Sequence, residues 1–141
     1  MRGDGYEKNI IALFLILSTL FISGCTTLNK EISSKDQESV KVSKITSEEA
    51  KEEMNNRDVI ILDVRTEDEY NSGHIENSVL IPVDDLEDKA EELLVNKEQK
   101  ILVYCRSGNR SKKAADLLVE MGYTNVYDLG GIKDWPYEIV K

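Results

Sequence analysis

Val59-Ile60-Ile61-Leu62-Asp63-Val64 is a run of aliphatic, mostly β-branched residues with no polar alternation apart from Asp63. A strand that is apolar on both sides belongs inside a sheet that is covered on both faces. Lys100-Ile101-Leu102-Val103-Tyr104 has the same character. Amphipathic segments lie around these runs. Thr46-Ser47-Glu48-Glu49 has capping-box spacing and predicts a helix to about Asn55. Thr66-Glu67-Asp68-Glu69 repeats that spacing and predicts a short helix ending near Ser72-Gly73. Ser78 to Ile81 reads as a strand stopped by Pro82, and Asp84 or Asp85 as the cap of a helix through Leu93-Leu94. Arg110 to Met121 reads as a helix with Ala114, Ala115, Leu117 and Leu118 on its apolar side and Gly122 as its C-cap. Asn125-Val126-Tyr127 is the last predicted strand, followed by Gly130-Gly131 and a helical turn near Trp135. This alternation predicts one α/β domain, residues 44–141, on a mainly parallel central sheet. Ligands in such folds bind at the carboxyl ends of the strands.

The remaining 43 residues are too few for a second core. Ile10 to Ile22 carries no charge, and as a helix it would span roughly 20 Å, less than the hydrocarbon core of a bilayer. Arg2 and Lys8 precede it, and Ile22-Ser23-Gly24-Cys25 follows. These four residues resemble the lipobox of bacterial lipoproteins. That resemblance implies a signal peptide over residues 1–24, a diacylated Cys25 and a protein tethered to the extracytoplasmic side of the cell membrane. A palmitate-type chain contributes about 0.8 kcal/mol per buried methylene, so two chains anchor stably. An ordinary signal peptide followed by a chance cysteine, or an uncleaved anchor, would also place the domain outside the cytoplasm. Residues 25–43 are polar and mixed in charge, which predicts a flexible tether.

Lys and Arg total 18 against 27 Asp and Glu, giving a formal charge of −9, so no nucleic-acid partner is expected. Two cysteines and one histidine are too few for a structural zinc site. The informative cysteine is Cys105. It follows a buried strand and opens Cys105-Arg106-Ser107-Gly108-Asn109-Arg110 before a helix. The unpaired N–H groups and dipole of a helix N-terminus favour a thiolate, the nucleophilic form of cysteine. Arg106 and Arg110 add positive charge, and Gly108 permits the left-handed backbone that turns N–H groups inward around an anion. Such a loop suits a negative sulfur and an anionic substrate.

With its flanks, this C-x4-R loop resembles the rhodanese family of sulfurtransferases. Leu62-Asp63-Val64-Arg65, Glu69-Tyr70, Gly73-His74-Ile75 and Asn77-Ser78 through Ile81-Pro82 are similar to the family's first signature. Leu129-Gly130-Gly131-Ile132 with Trp135 is similar to its closing one. The resemblance implies a single rhodanese-like domain with a mainly parallel five-stranded central sheet flanked by helices. It also implies an enzyme that needs no cofactor and no metal. Cys105 would be the catalytic nucleophile, carrying sulfane sulfur as a persulfide from thiosulfate or another persulfide to a thiol or cyanide acceptor. Arg106, Ser107, Gly108, Asn109 and Arg110 would bind the substrate, in a protein expected to be monomeric. Related phosphatases resemble C-x5-R, one residue longer, and residue 111 here is Ser. A non-catalytic rhodanese-like binding or sulfur-sensing module is the alternative, and the intact loop argues against it. His74 and Trp135 with Tyr137 read as structural, and Asp63 with Arg65 as a link between loops. The acidic stretch from Asp84 to Glu92 reads as a solvated helix face.

Overall fold

The computed structural model describes residues 40–141; the apolar segment, Cys25 and the expected tether up to residue 39 lie outside the described residues. The elements are β1 (Ser43–Lys44), α1 (Ser47–Glu53), β2 (Val59–Asp63), α2 (Glu67–Asn71), β3 (Val79–Leu80), α3 (Leu86–Leu93), β4 (Lys100–Cys105), α4 (Asn109–Glu120) and β5 (Val126–Gly131). Two 3₁₀ turns, Val83–Asp85 and Ile132–Asp134, complete them. The strands form one sheet in the order β1-β5-β4-β2-β3, and every pairing is parallel.

The two uninterrupted apolar runs occupy adjacent positions as β4 and β2, in the interior of the sheet, because only there are both faces covered. Side chains alternate along each strand. Leu62, Val64, Ile101, Val103 and Cys105 pack against Leu86 and Ala90 of α3 and against Ala114, Ala115 and Leu118 of α4. On the opposite face, Ile61, Leu102 and Tyr104 pack with Ala50, Ile75 and Trp135. Each fully buried Leu or Ile contributes about 1.5–3 kcal/mol, so these two cores hold the sheet between helical layers.

Both capping boxes form. Thr46 Oγ1 accepts from the Glu49 N–H, Thr66 Oγ1 accepts from the Glu69 N–H, and each glutamate reaches back to its threonine N–H. Gly122 (φ 92°) stands one position beyond the C-cap Met121. The Gly122 N–H donates to Val119 O and the Tyr123 N–H to Leu118 O, the paired bonds of a Schellman ending. Three details differ from the sequence reading. Asp85 does not cap α3: its carboxylate takes the Lys89 ammonium instead, and the 3₁₀ turn leads directly into the helix. β5 runs on through Gly130 and Gly131, with a register shift opposite Val103 and Tyr104 that leaves Leu129 as an extra residue. The polar pair Ser43–Lys44 adds an edge strand against Tyr127 and Asp128, so pairing begins at the last residue assigned to the tether.

Candidate active site

Cys105 is the last residue of β4, and Gly108 ends the short loop that leads into α4. Gly108 takes φ 97°, a left-handed turn that aims its N–H at the Cys105 Sγ at 3.1 Å. Cys105 is 1% exposed. Burial alone would push the thiol up. The backbone N–H groups of Ser111, Ser107 and Gly108 outweigh it, and the thiol lies below its ordinary value. The Ser111 hydroxyl, also near the sulfur, has a single proton and stands 2.6 Å from Asp128 Oδ1. That short contact commits the proton to the carboxylate, so the main-chain amides are what stabilise the thiolate.

The walls of the loop are backbone. A Cβ at Gly131 would stand 2.8 Å from both Arg106 O and Ser107 Cα, so β5 lies against the loop at a distance only glycine allows. Asp128 fixes the same junction from below, accepting from Ser111 Oγ and from the Gly130 N–H at 3.0 Å.

Arg110 has a partner that the local sequence does not announce. Its Nη1 and Nη2 donate to Glu69 Oε2 and Oε1 at 2.7 and 2.8 Å, a two-point ion pair between α4 and α2. The pair keeps the Glu69 carboxyl at about 2, first through the Arg110 hydrogen bonds and then through the Thr66 N–H. Glu69 in turn raises Arg110, with smaller attractions from Cys105 and Asp63, so the guanidinium lies within the field of the site. Arg106, Ser107 and Asn109 are exposed, and among the described residues none of their side chains makes a hydrogen bond. Of the expected site residues, Cys105, Ser107 and Gly108 thus meet through amide and sulfur, while Arg110 is fixed in place by Glu69.

The family comparison agrees with this geometry. The rhodanese-like domain model matches residues 46–137, well over half of the chain. The chain belongs to the rhodanese-like family. It is 40% identical to thiosulfate sulfurtransferase GlpE of Coxiella burnetii over 88 residues, which are 62% of this chain and 80% of that protein. It is 34% identical to thiosulfate sulfurtransferase PspE of Escherichia coli over 73 residues, 52% of this chain and 70% of that protein. A rhodanese-related protein from Thermoplasma volcanium has a similar fold, with TM-score 0.61 and 32% identity over 70% of this chain and 97% of that one.

Within this rhodanese-like domain, the residues read as structural occupy structural positions. Asp63 is fully buried; Arg65 Nη2 donates to it at 2.7 Å and to Gly73 O at 2.9 Å, tying the end of β2 to the turn after α2. The His74 ring stacks on Tyr70 with centroids 3.7 Å apart, and its main chain bridges to Val140. Trp135 lies in the core, edge-on to Tyr137. Asp84, Glu87, Asp88, Glu91 and Glu92 are exposed. Sequence reasoning missed the roles of Glu69, Ser111 and Asp128. Glu69 stood out only as part of a capping box and of the Glu69-Tyr70 stretch of the first signature, and neither points to Arg110.

Proposed function

We propose that the chain is a thiosulfate or persulfide sulfurtransferase that carries sulfane sulfur on Cys105. The observation that carries this reading is the buried Sγ held at 3.1 Å from the Gly108 N–H, with its thiol lowered by surrounding amides. The names of the GlpE and PspE relatives support it. In the first half-reaction the Cys105 thiolate attacks the outer sulfur of thiosulfate. The new bond is Sγ–S, the S–S bond of thiosulfate breaks, and sulfite leaves with the bonding pair. In the second, an acceptor such as cyanide attacks the outer persulfide sulfur, and Cys105 returns as thiolate. The amides of Ser107, Gly108 and Ser111 stabilise the anionic sulfur at each stage. Arg106, with no side-chain partner among the described residues, meets the incoming anion. Arg110, fixed by Glu69, supplies a standing positive charge beside it.

Residues 1–24 act as an export signal in this proposal, Cys25 carries the lipid, and residues from 25 onward space a monomeric domain from the outer face of the membrane. The lipobox-like Ile22-Ser23-Gly24-Cys25 supports that part.

Cyanolysis with thiosulfate, run on the wild type beside Cys105→Ser, tests the catalytic proposal. The wild type is expected to form thiocyanate and, before cyanide is added, to gain one sulfur, about 32 Da. Thiocyanate formation by both proteins alike, or by neither, would remove the enzyme reading.

A further inference from the structure

Ser111 stands in the first turn of α4 and is fully buried, so its hydroxyl must find its partner within the protein. Three acceptors compete for its one proton. Asp128 Oδ1 lies at 2.6 Å, Gly108 O lies at 3.0 Å, and the Cys105 sulfur is the third. A hydroxyl at about 2.5–2.7 Å from a carboxylate oxygen makes a charge-assisted bond, roughly twice as strong as a neutral one, so the proton stays with Asp128.

The sheet holds Asp128 in place. Its main chain pairs with Val103 of β4 on one side and with Lys44 of β1 on the other. Its Oδ1 also accepts from the Gly130 N–H at 3.0 Å, just past the bulge. The carboxylate therefore cannot leave Ser111 without opening the junction between β5 and the loop. A hydroxyl donating to a thiolate would stabilise the sulfur and blunt it together, because nucleophilicity falls as a thiol becomes more acidic, with a Brønsted coefficient of about 0.4–0.5. Amides set the charge on Cys105, and the question is what keeps the side-chain proton away.

We infer that Asp128 is a positioning residue: by holding the Ser111 hydroxyl proton, it leaves the Cys105 sulfur without a side-chain donor and so keeps it a stronger nucleophile. Asp128 acts through Ser111 and takes no part in bond making. The effect on sulfur loading rests on the sulfurtransferase reading, whereas the competition for the proton does not.

The test follows alkylation of Cys105 by iodoacetamide against pH in the full chain, read at the Cys105 peptide by mass spectrometry. The proteins are wild type, Ser111→Ala, Asp128→Ala, Asp128→Asn and the double variant Asp128→Ala/Ser111→Ala. Asp128→Ala releases the Ser111 proton to the sulfur. Its midpoint is expected about one pH unit below that of the double variant, the size of a hydrogen bond to a charged group. Its plateau rate should be about threefold lower. Both proteins lack the Asp128 charge and keep Arg110, Lys112, Lys41, Lys44 and Asp63, the charged groups that face Cys105 or Asp128 from neighbouring elements, so those fields cancel. Asp128→Asn retains an Oδ1 acceptor for both bonds and should restore the plateau rate. Ser111→Ala keeps its amide and loses a proton the sulfur never held, so its midpoint should match wild type. Equal midpoints in Asp128→Ala and the double variant overturn the inference. So does a midpoint raised by Ser111→Ala alone, a comparison that leaves Asp128 untouched. Mass gain from thiosulfate, measured on the same proteins, separates the two readings. The expected alkylation pattern in a chain that never gains sulfur keeps the positioning role and removes the sulfurtransferase reading. Sulfur loading without any Ser111-dependent difference does the reverse.

Discussion

Gly131 shows how closely the loop is fitted. Its backbone is extended, so no special φ demands glycine; the demand comes from Arg106 O and Ser107 Cα, each 2.8 Å from where a Cβ would stand. Both are main-chain atoms and cannot swing aside, so Gly131→Ala must displace the loop. A displacement near 1 Å at a reacting centre costs up to a hundredfold in rate. The variant should load sulfur from thiosulfate roughly tenfold to a hundredfold more slowly, with its circular dichroism unchanged; loading at the wild-type rate would contradict the fit. Cys105 and Gly108 were legible from sequence because everything they need is local: a strand, a left-handed glycine and a helix start. Ser111 and Asp128 were not, because their 2.6 Å bond joins residues 17 apart and only the folded sheet edge brings them together. The Glu69 partner of Arg110 was not legible for the same reason, since it lies 41 residues away.

Helix α2 has five residues, too few to persist alone, and is held by contacts at its ends. Glu69 serves two of them at once, closing the Thr66 capping box and clamping Arg110 of α4. Thr66→Ala should lower stability in urea unfolding by about 1 kcal/mol, the usual cost of losing an N-cap. The ion pair gives a pH signature. The Glu69 carboxyl falls from 4.5 to about 2 on folding, so its contribution is complete above about pH 4.5 and is lost as pH falls towards 2. Urea unfolding should therefore show a gap between wild type and Glu69→Gln at pH 6 that narrows steadily between pH 4.5 and pH 2. A constant gap would mean the pair adds nothing to stability. At this scale the sequence was most readable where the pattern was strong: the buried runs of β2 and β4, the two capping boxes and the glycine after α4. It was silent on β1, whose two polar residues have no strand pattern of their own. It was also misleading over β5, where Gly130-Gly131 suggests a turn but instead extends the strand past a bulge to reach the loop.

Across the whole chain, the proposal joins the rhodanese-like domain to an export signal over residues 1–24 through a lipid carried on Cys25. If Cys25 carries the lipid as proposed, Cys25→Ala should move the protein from the membrane fraction to the soluble fraction. Unchanged membrane retention would make the apolar segment itself the anchor. The α/β class and the position of the site at the carboxyl end of a central strand could both be read before folding, because alternation and chain order determine them. The all-parallel order, with β5 between β1 and β4, could not, since pairing partners are chosen by the assembled core. That order sets β5 beside β4, with Gly131 against the loop, and the amides of the loop and of the start of α4 surround one buried sulfur. Cys25→Ala also leaves Cys105 as the sole thiol, so its alkylation by iodoacetamide can be followed against pH without interference. The amide ring predicts a midpoint clearly below about 8.5, the value of an unperturbed cysteine. A midpoint at or above that value would mean that burial prevails over the amides, and that the loop does not hold a thiolate.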